Sequence, residues 1–250
     1  MTSLDLDTLN LDSGGHDADD GKYCLLEAVA AFSGEPWGER PACVSPVLID
    51  FGISLNDRLP DDRRQELKPL IPLLPGTVGD GLDEQRSYLA LDWLIRTYTP
   101  AWLDLAGLAE EAAALRDLRR IVDLVAAQSA GPVVRQAREK AAAARDAARD
   151  AARAAARAAG WAAGWDAAWD AGWAAGWAAG WAAGWAAAGA AAGAAAGAAG
   201  WDAAWAAAGA AAWAAARAAA RAVLQPTVVA LQISAIELFR SMIRPEQASA

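Results

Sequence analysis

From Arg145 to Arg221 every fourth residue is Arg, Trp or Gly, twenty times without a slip, and the residues between are Ala, Gly or Asp. Arg, Trp and Gly interconvert at the first base of a CGG, TGG or GGG codon. Asp, Ala and Gly interconvert at the middle base of GAC, GCC or GGC. The tract therefore reads as an expanded twelve-base repeat, an origin that accounts for its regularity without selection for any chemistry. It names no reaction, but it restricts the fold. Ala is the strongest helix former, yet the eleven Gly from Gly160 to Gly209 each cost about 1 kcal/mol relative to Ala, which leaves an isolated helix near balance. Packing has to decide it.

Ten Trp lie in the tract: Trp161, Trp165, Trp169, Trp173, Trp177, Trp181, Trp185, Trp201, Trp205 and Trp213. Each gains up to about 5 kcal/mol when some 200 Å² of its surface leaves water. Left exposed, the row would exceed what a soluble monomer tolerates. Four residues advance about 400° around a helix, so successive Trp drift by roughly 40° and the row winds around the axis. One straight partner cannot cover it. Either several helices wrap together, or the tract folds back at Gly189 to Gly200 as a helical hairpin. The expected function is accordingly non-enzymatic self-association or protein interaction, with the chain itself or another helical protein as partner.

A membrane reading ranks third. Residues 171–201 carry no charge and are long enough to span a bilayer. They lack the Leu, Ile, Val and Phe that drive insertion, and their Trp are spread evenly instead of gathering at the two interfaces.

The two halves differ electrostatically. Residues 1–130 hold 23 acids against 11 bases and residues 131–250 hold 8 against 11, so the N-terminal half has no basic surface for phosphates and no nucleic-acid partner is expected. Arg145, Arg149, Arg153 and Arg157 share a ridge that reads as a solvated helix face. The acidic start, Met1 to Gly15, has no basic stretch before an apolar one, which argues for a cytoplasmic location. Two cysteines in a reducing compartment do not form a disulfide framework.

Residues 1–15 read as a flexible acidic arm, 16–130 as an all-α domain, 131–225 as the low-complexity repeat helix, and 226–250 as a C-terminal amphipathic helix and tail. Within the domain, Asp19 and Asp20 cap a helix from Gly21 to Phe32, and Ser45 with Pro46 opens another to about Asn56. Pro69, Pro72 and Pro75 shorten or kink the segment from Leu67 to Leu74. Asp83 to Tyr98 predicts a helix with Tyr88, Leu91, Ile95 and Tyr98 on its apolar stripe, ended by Thr99 and Pro100. Ala101 to Leu108 and Glu110 to Val125 follow, and Gly131 and Pro132 mark the boundary where a new helix starts. After Pro226, Thr227 to Ile243 carries Val228, Leu231, Ala235, Leu238 and Met242 at helical spacing, widened by Phe239. Packing against the N-terminal domain or the repeat, or dimerisation, would cover this stripe. No stretch alternates long enough to be a strand, so the fold class is all-α.

The stretches GHDADDGKYCLLEAVAAFSGEPWGERPACVSPVL, SLNDRLPDD and RSYLALDWLIRTYTPAWLDLAGL resemble a group of uncharacterised proteins from actinobacteria and their phages that also carry Ala-rich tails. The resemblance covers about residues 12–125 and implies no activity. The recurring residues correspond here to His16, Gly21, Cys24, Glu27, Gly34, Glu35, Pro41, Cys43, Ser45 and Pro46. An Asp-His pair often precedes the Pro in that group, where this chain has Glu39 and Arg40.

His16, Cys24, Glu27 and Cys43 are the constellation with chemical potential. Thiolates, an imidazole and a carboxylate suit Zn²⁺, although close CxxC or HxxxH pairs are missing. Alternatively Cys24 and His16 form a nucleophile and base with Glu27 as the orienting group. The plain alternative is buried thiols and a solvated histidine, with no cofactor. Light scattering on a gel-filtration column in detergent-free buffer should find the full chain as a defined oligomer. A strictly monomeric chain with solvent-exposed repeat Trp would contradict the association reading.

Overall fold

The computed structural model describes residues 4–147, 150 and 222–245. The ten repeat Trp lie outside the described residues. Apart from one bridge between Leu11 and Tyr23, the described residues contain no β structure, and the fold is all-α.

Helix α1, Leu25–Ser33, is the centre of the domain because it is apolar nearly all round: Leu25, Leu26, Ala28, Val29 and Ala30 are all buried. A helix without a polar face is stable only when surrounded. It starts at Leu25 and not at the anticipated Gly21. The reason is a capping box: the Cys24 sulfur accepts from the Glu27 N–H while the Glu27 carboxylate reaches back to the Cys24 N–H. The Leu25 N–H is taken by the buried Asn56 side chain.

Helix α2, Pro46–Arg58, opens at Ser45 as expected, with the Ser45 hydroxyl accepting from the Leu48 N–H. It lays Leu48, Ile49, Gly52 and Leu55 on α1. A Cβ at Gly52 would sit 3.0 Å from Leu26 and 3.2 Å from Phe239, so three helices cross where a larger residue would push those side chains aside by a few tenths of an ångström. After α3, Asp61–Arg64, the proline-broken segment becomes a 3₁₀ helix, Gln65–Leu73, whose Leu67, Leu70 and Ile71 close the core beneath α1.

Helix α4, Asp83–Trp93, runs through a π turn, Leu94–Tyr98, directly into α5, Thr99–Leu105. Thr99 and Pro100 therefore do not end it. In the wider turn the Thr99 N–H bonds to the Leu94 carbonyl, which accommodates the missing N–H of Pro100. The anticipated stripe is also rotated. Arg86 is wholly buried, and Leu89, Ala90 and Trp93 pack on the core, because the guanidinium is an anchor. It donates to the Met242 and Thr77 carbonyls and pairs with Asp80 and Asp83.

Helix α6, Ala109–Arg116, stops nine residues short of the expected Val125. The Asp92 carboxylate accepts from the Ile121 N–H and holds that buried side chain in a non-helical link. Asp123 then caps the next helix through the Ala126 N–H. This helix, α7, spans residues 124–147 and passes through Gly131 and Pro132 without a boundary. The buried line Ala126, Ala130 and Ala137 holds it together against the propensity cost of that pair.

Helix α8, Ala222–Ile243, is long and apolar enough by composition to cross a membrane. Its Leu231, Ala235, Ile236, Leu238, Phe239, Met242 and Ile243 are nevertheless buried, and Phe239 stacks on Phe51 at 5.7 Å. The C-terminal stripe is thus covered by the N-terminal domain, and Met1–Lys140 with Pro226–Ala250 forms one compact unit; Ala141–Gln225 is a second. The expected flexible arm is strapped down in its described part. Leu9 and Leu11 are buried, Gln65 bonds both backbone groups of Leu11, and Lys68 donates to the Leu9 carbonyl. A length of chain that buries two Leu and pairs its backbone gives up its freedom.

The Arg86 hydrogen bond holds the Asp80 carboxyl below its ordinary range. Because the folded value is depressed, the stabilisation is present above the unfolded value of about 3.9 and is lost as pH falls through the folded one. Arg86→Met should cost roughly 3–5 kcal/mol in urea denaturation at neutral pH. It should also flatten the acid limb of the stability profile below about pH 4, which a denaturation series against pH will read.

Candidate functional site

The N-terminus of α1 gathers most of the candidate residues. Glu27 is 1% exposed, and its carboxylate accepts three N–H groups: the Cys24 backbone at 2.7 Å, the His16 backbone at 2.7 Å and His16 Nδ1 at 2.9 Å. The turn that carries His16 is held further by Trp37, whose indole N–H donates to the His16 carbonyl at 2.7 Å and whose ring lies 5.0 Å from Tyr23. His16 is consequently not a solvated loop residue, since its side chain is only 10% exposed. Nδ1 faces the carboxylate, and Nε2 has no hydrogen-bond partner among the described residues.

Glu39 enters from the loop after α1. Its carboxylate packs so closely on Gly15 that a Cβ there would meet Glu39 Oε2 at 2.9 Å. The Cys24 thiol and Glu39 Oε1 are 3.8 Å apart. Ligand atoms of Cys24, Glu27 and Glu39 all lie within 4.8 Å of one another, and Glu27 and Glu39, with His16, Asp17, Asp20 and Trp37, line a cleft of about 330 Å³ behind which Cys24 is buried. Divalent ions of the zinc type bind O, N and S ligands at about 2.0–2.3 Å, so three donor atoms this close need only small adjustments to converge on one ion.

Burial foremost, with the neighbouring Glu27 and Glu39 carboxylates adding to it, pushes the Cys24 thiol up to about 12. A protonated, enclosed thiol is a poor nucleophile. Nor is His16 hydrogen-bonded to it: among the described residues the Cys24 sulfur meets the Glu27 N–H and the Glu39 carboxylate. The arrangement of Cys24 as nucleophile and His16 as base is therefore not what the fold builds.

Cys43 is separated from the set. Its thiol lies 3.6 Å from the Ser33 hydroxyl at the far end of α1, about 13 Å from Cys24 at 1.5 Å per helical residue. The anticipated trio His16, Cys24 and Cys43 is not assembled, and both cysteines are free thiols. Sequence reasoning missed Glu39. It lies in a loop fifteen residues beyond Cys24, outside the reach of any local spacing pattern. Arg40, beside it, turns to Asp50 on the surface.

Set against protein-family models, curated proteins and solved structures, the chain matches none. The thiol environments predict the order of chemical modification. Iodoacetamide at neutral pH should label half-buried Cys43 at least about ten times faster than buried Cys24, and unfolding should remove the difference, as peptide mapping by mass spectrometry will read.

Proposed function

We propose that the N-terminal domain binds a divalent metal ion of the zinc type, held by Cys24, Glu27 and Glu39 at the start of α1. The observation that carries this reading is the convergence of those three donor atoms within 4.8 Å beside an acidic cleft. His16 is assigned a positioning role, since its two N–H groups orient the Glu27 carboxylate. Such partners behind a ligand tune its aim and its basicity. The high thiol pKa sets the condition for uptake. At neutral pH the ion has to displace the Cys24 proton, as metals do on binding a thiol. Three protein ligands, two of them at the edge of an open cleft, leave a further coordination position for water or a small anion.

Association through the Trp row remains the proposed role of residues 145–221, carried by ten Trp at four-residue spacing that water does not tolerate in the open. The two free thiols fit the proposed cytoplasmic setting.

Co²⁺ titrated into the full chain should produce a near-ultraviolet thiolate-to-metal absorption band with one ion per chain. Cys24→Ser should abolish the band, Glu39→Gln should weaken binding about tenfold or more, and Cys43→Ser should leave it unchanged. A band that survives Cys24→Ser, or no band at all, counts against the site.

A further inference from the structure

The cleft beside the proposed metal ligands is assembled from three lengths of chain. Gly15, His16 and Asp17 come from the end of the arm, Trp37, Gly38 and Glu39 from the loop after α1, and Glu27 from α1 itself. The arm and the loop are tied to each other by the Trp37 indole N–H on the His16 carbonyl, at 2.7 Å, and by the close packing of Glu39 on Gly15. Two of the three ligands, Glu27 and Glu39, therefore have the arm as a neighbour.

The arm also sets how Glu27 can receive an ion. Three nitrogens meet its carboxylate, and two of them belong to His16: the backbone N–H at 2.7 Å and ring Nδ1 at 2.9 Å. A carboxylate offers about four lone-pair sites. With three engaged, one is left for a metal ion, in a direction that depends on where His16 sits.

Farther up the chain the arm is held by contacts that involve none of the three ligands. Leu9 and Leu11 are buried in the core cluster. Gln65 bonds both backbone groups of Leu11 at 2.9 Å, Lys68 donates to the Leu9 carbonyl at 2.9 Å, and Asp57 accepts the Gly14 N–H at 2.9 Å. Residues 4–16 form no helix, so these attachments fix their position. A segment fastened in this way opens as a local unit, ahead of the helices behind it.

We propose that residues 4–16 are a metal-controlled latch: occupation of the Cys24, Glu27 and Glu39 site locks the arm onto the domain, and release of the arm weakens the site. This rests on the metal reading and adds its regulation. The two effects are equal by linkage, since the factor by which a docked arm strengthens metal binding is the factor by which the metal strengthens docking. Groups that orient a metal ligand from behind are typically worth about 10–100-fold in affinity, which sets the size of the effect.

The test is hydrogen exchange of the full chain, followed by mass spectrometry with and without Co²⁺. Without metal, the Leu11, Gly14 and His16 amides should exchange well before those of α1. Saturating Co²⁺ should slow them about tenfold or more, and Cys24→Ser should show no slowing. Leu11→Asp, which puts a carboxylate where a buried leucine packs and so detaches the arm, should weaken Co²⁺ binding by the factor seen in exchange while α1 stays protected. Should Leu11→Asp lose the protection of α1, the comparison of the parent chain with Cys24→Ser decides. A thiolate-to-metal band with no change in arm exchange, an arm that exchanges together with α1, or a folded Leu11→Asp chain that binds Co²⁺ as tightly as the parent would each overturn the latch and leave the metal site standing. No band, or a band and slowed exchange that both persist in Cys24→Ser, would remove the site and the latch together.

Discussion

The crossing at Gly52 is the constraint on which the domain depends. Leu26 of α1 and Phe239 of α8 both come within 3.2 Å of the place a Cβ would occupy, so α1, α2 and α8 approach one another as closely as side chains allow. The consequence reaches through the whole chain. The helix that completes the core of an N-terminal domain lies after the entire repeat, and Leu25, Leu26, Leu48 and Ile49 have no full cover until Phe239 and Met242 arrive. Contacts so distant in sequence carry a loop-closure cost before they bring any stabilisation. The first hundred residues are therefore expected to fold late relative to their synthesis.

Buried charge reinforces that closure. Arg86 is the only residue of α4 that is fully buried, and one of its bonds goes to the Met242 carbonyl of α8. Glu27 plays the corresponding part at the start of α1, where it satisfies Cys24 and His16 together. Both are costly groups to remove from water and both are fully paired, which is the condition under which burial of charge is tolerated. Arg96 Nε, Trp102 Nε1 and Gln232 Oε1 depart from that pattern, being buried without a hydrogen-bond partner among the described residues. Their isolation marks a different kind of place from the satisfied clusters around Arg86 and Glu27.

The legible features of this sequence were the local ones. The Ser45–Pro46 start of α2, the proline-broken segment after α3 and the Leu231, Ala235, Leu238 and Met242 stripe of α8 depend on neighbours three or four residues away. Features that depend on distant partners were not legible. Asp92 ends the α6 region by bonding to Ile121, Gln65 straps the arm, and Arg86 rotates α4 so that a charge instead of Tyr88 faces the core. In the site, the link from Glu27 to Cys24 was within one helical turn and could be read. Glu39 could not be reached by spacing, because a loop carries it back to Gly15.

By itself the sequence determined the all-α class and the apolar character of α1 and α8, since helix propensity and periodicity act over one or two turns. Tertiary structure decided which face of α4 is buried and that Cys43 stands apart from Cys24. It also decided that His16 is locked against Glu27 and that α8 belongs to the first domain. Each of these outcomes turns on a buried hydrogen bond or a close packing contact between segments far apart in the chain, and burial is a property that the finished fold confers.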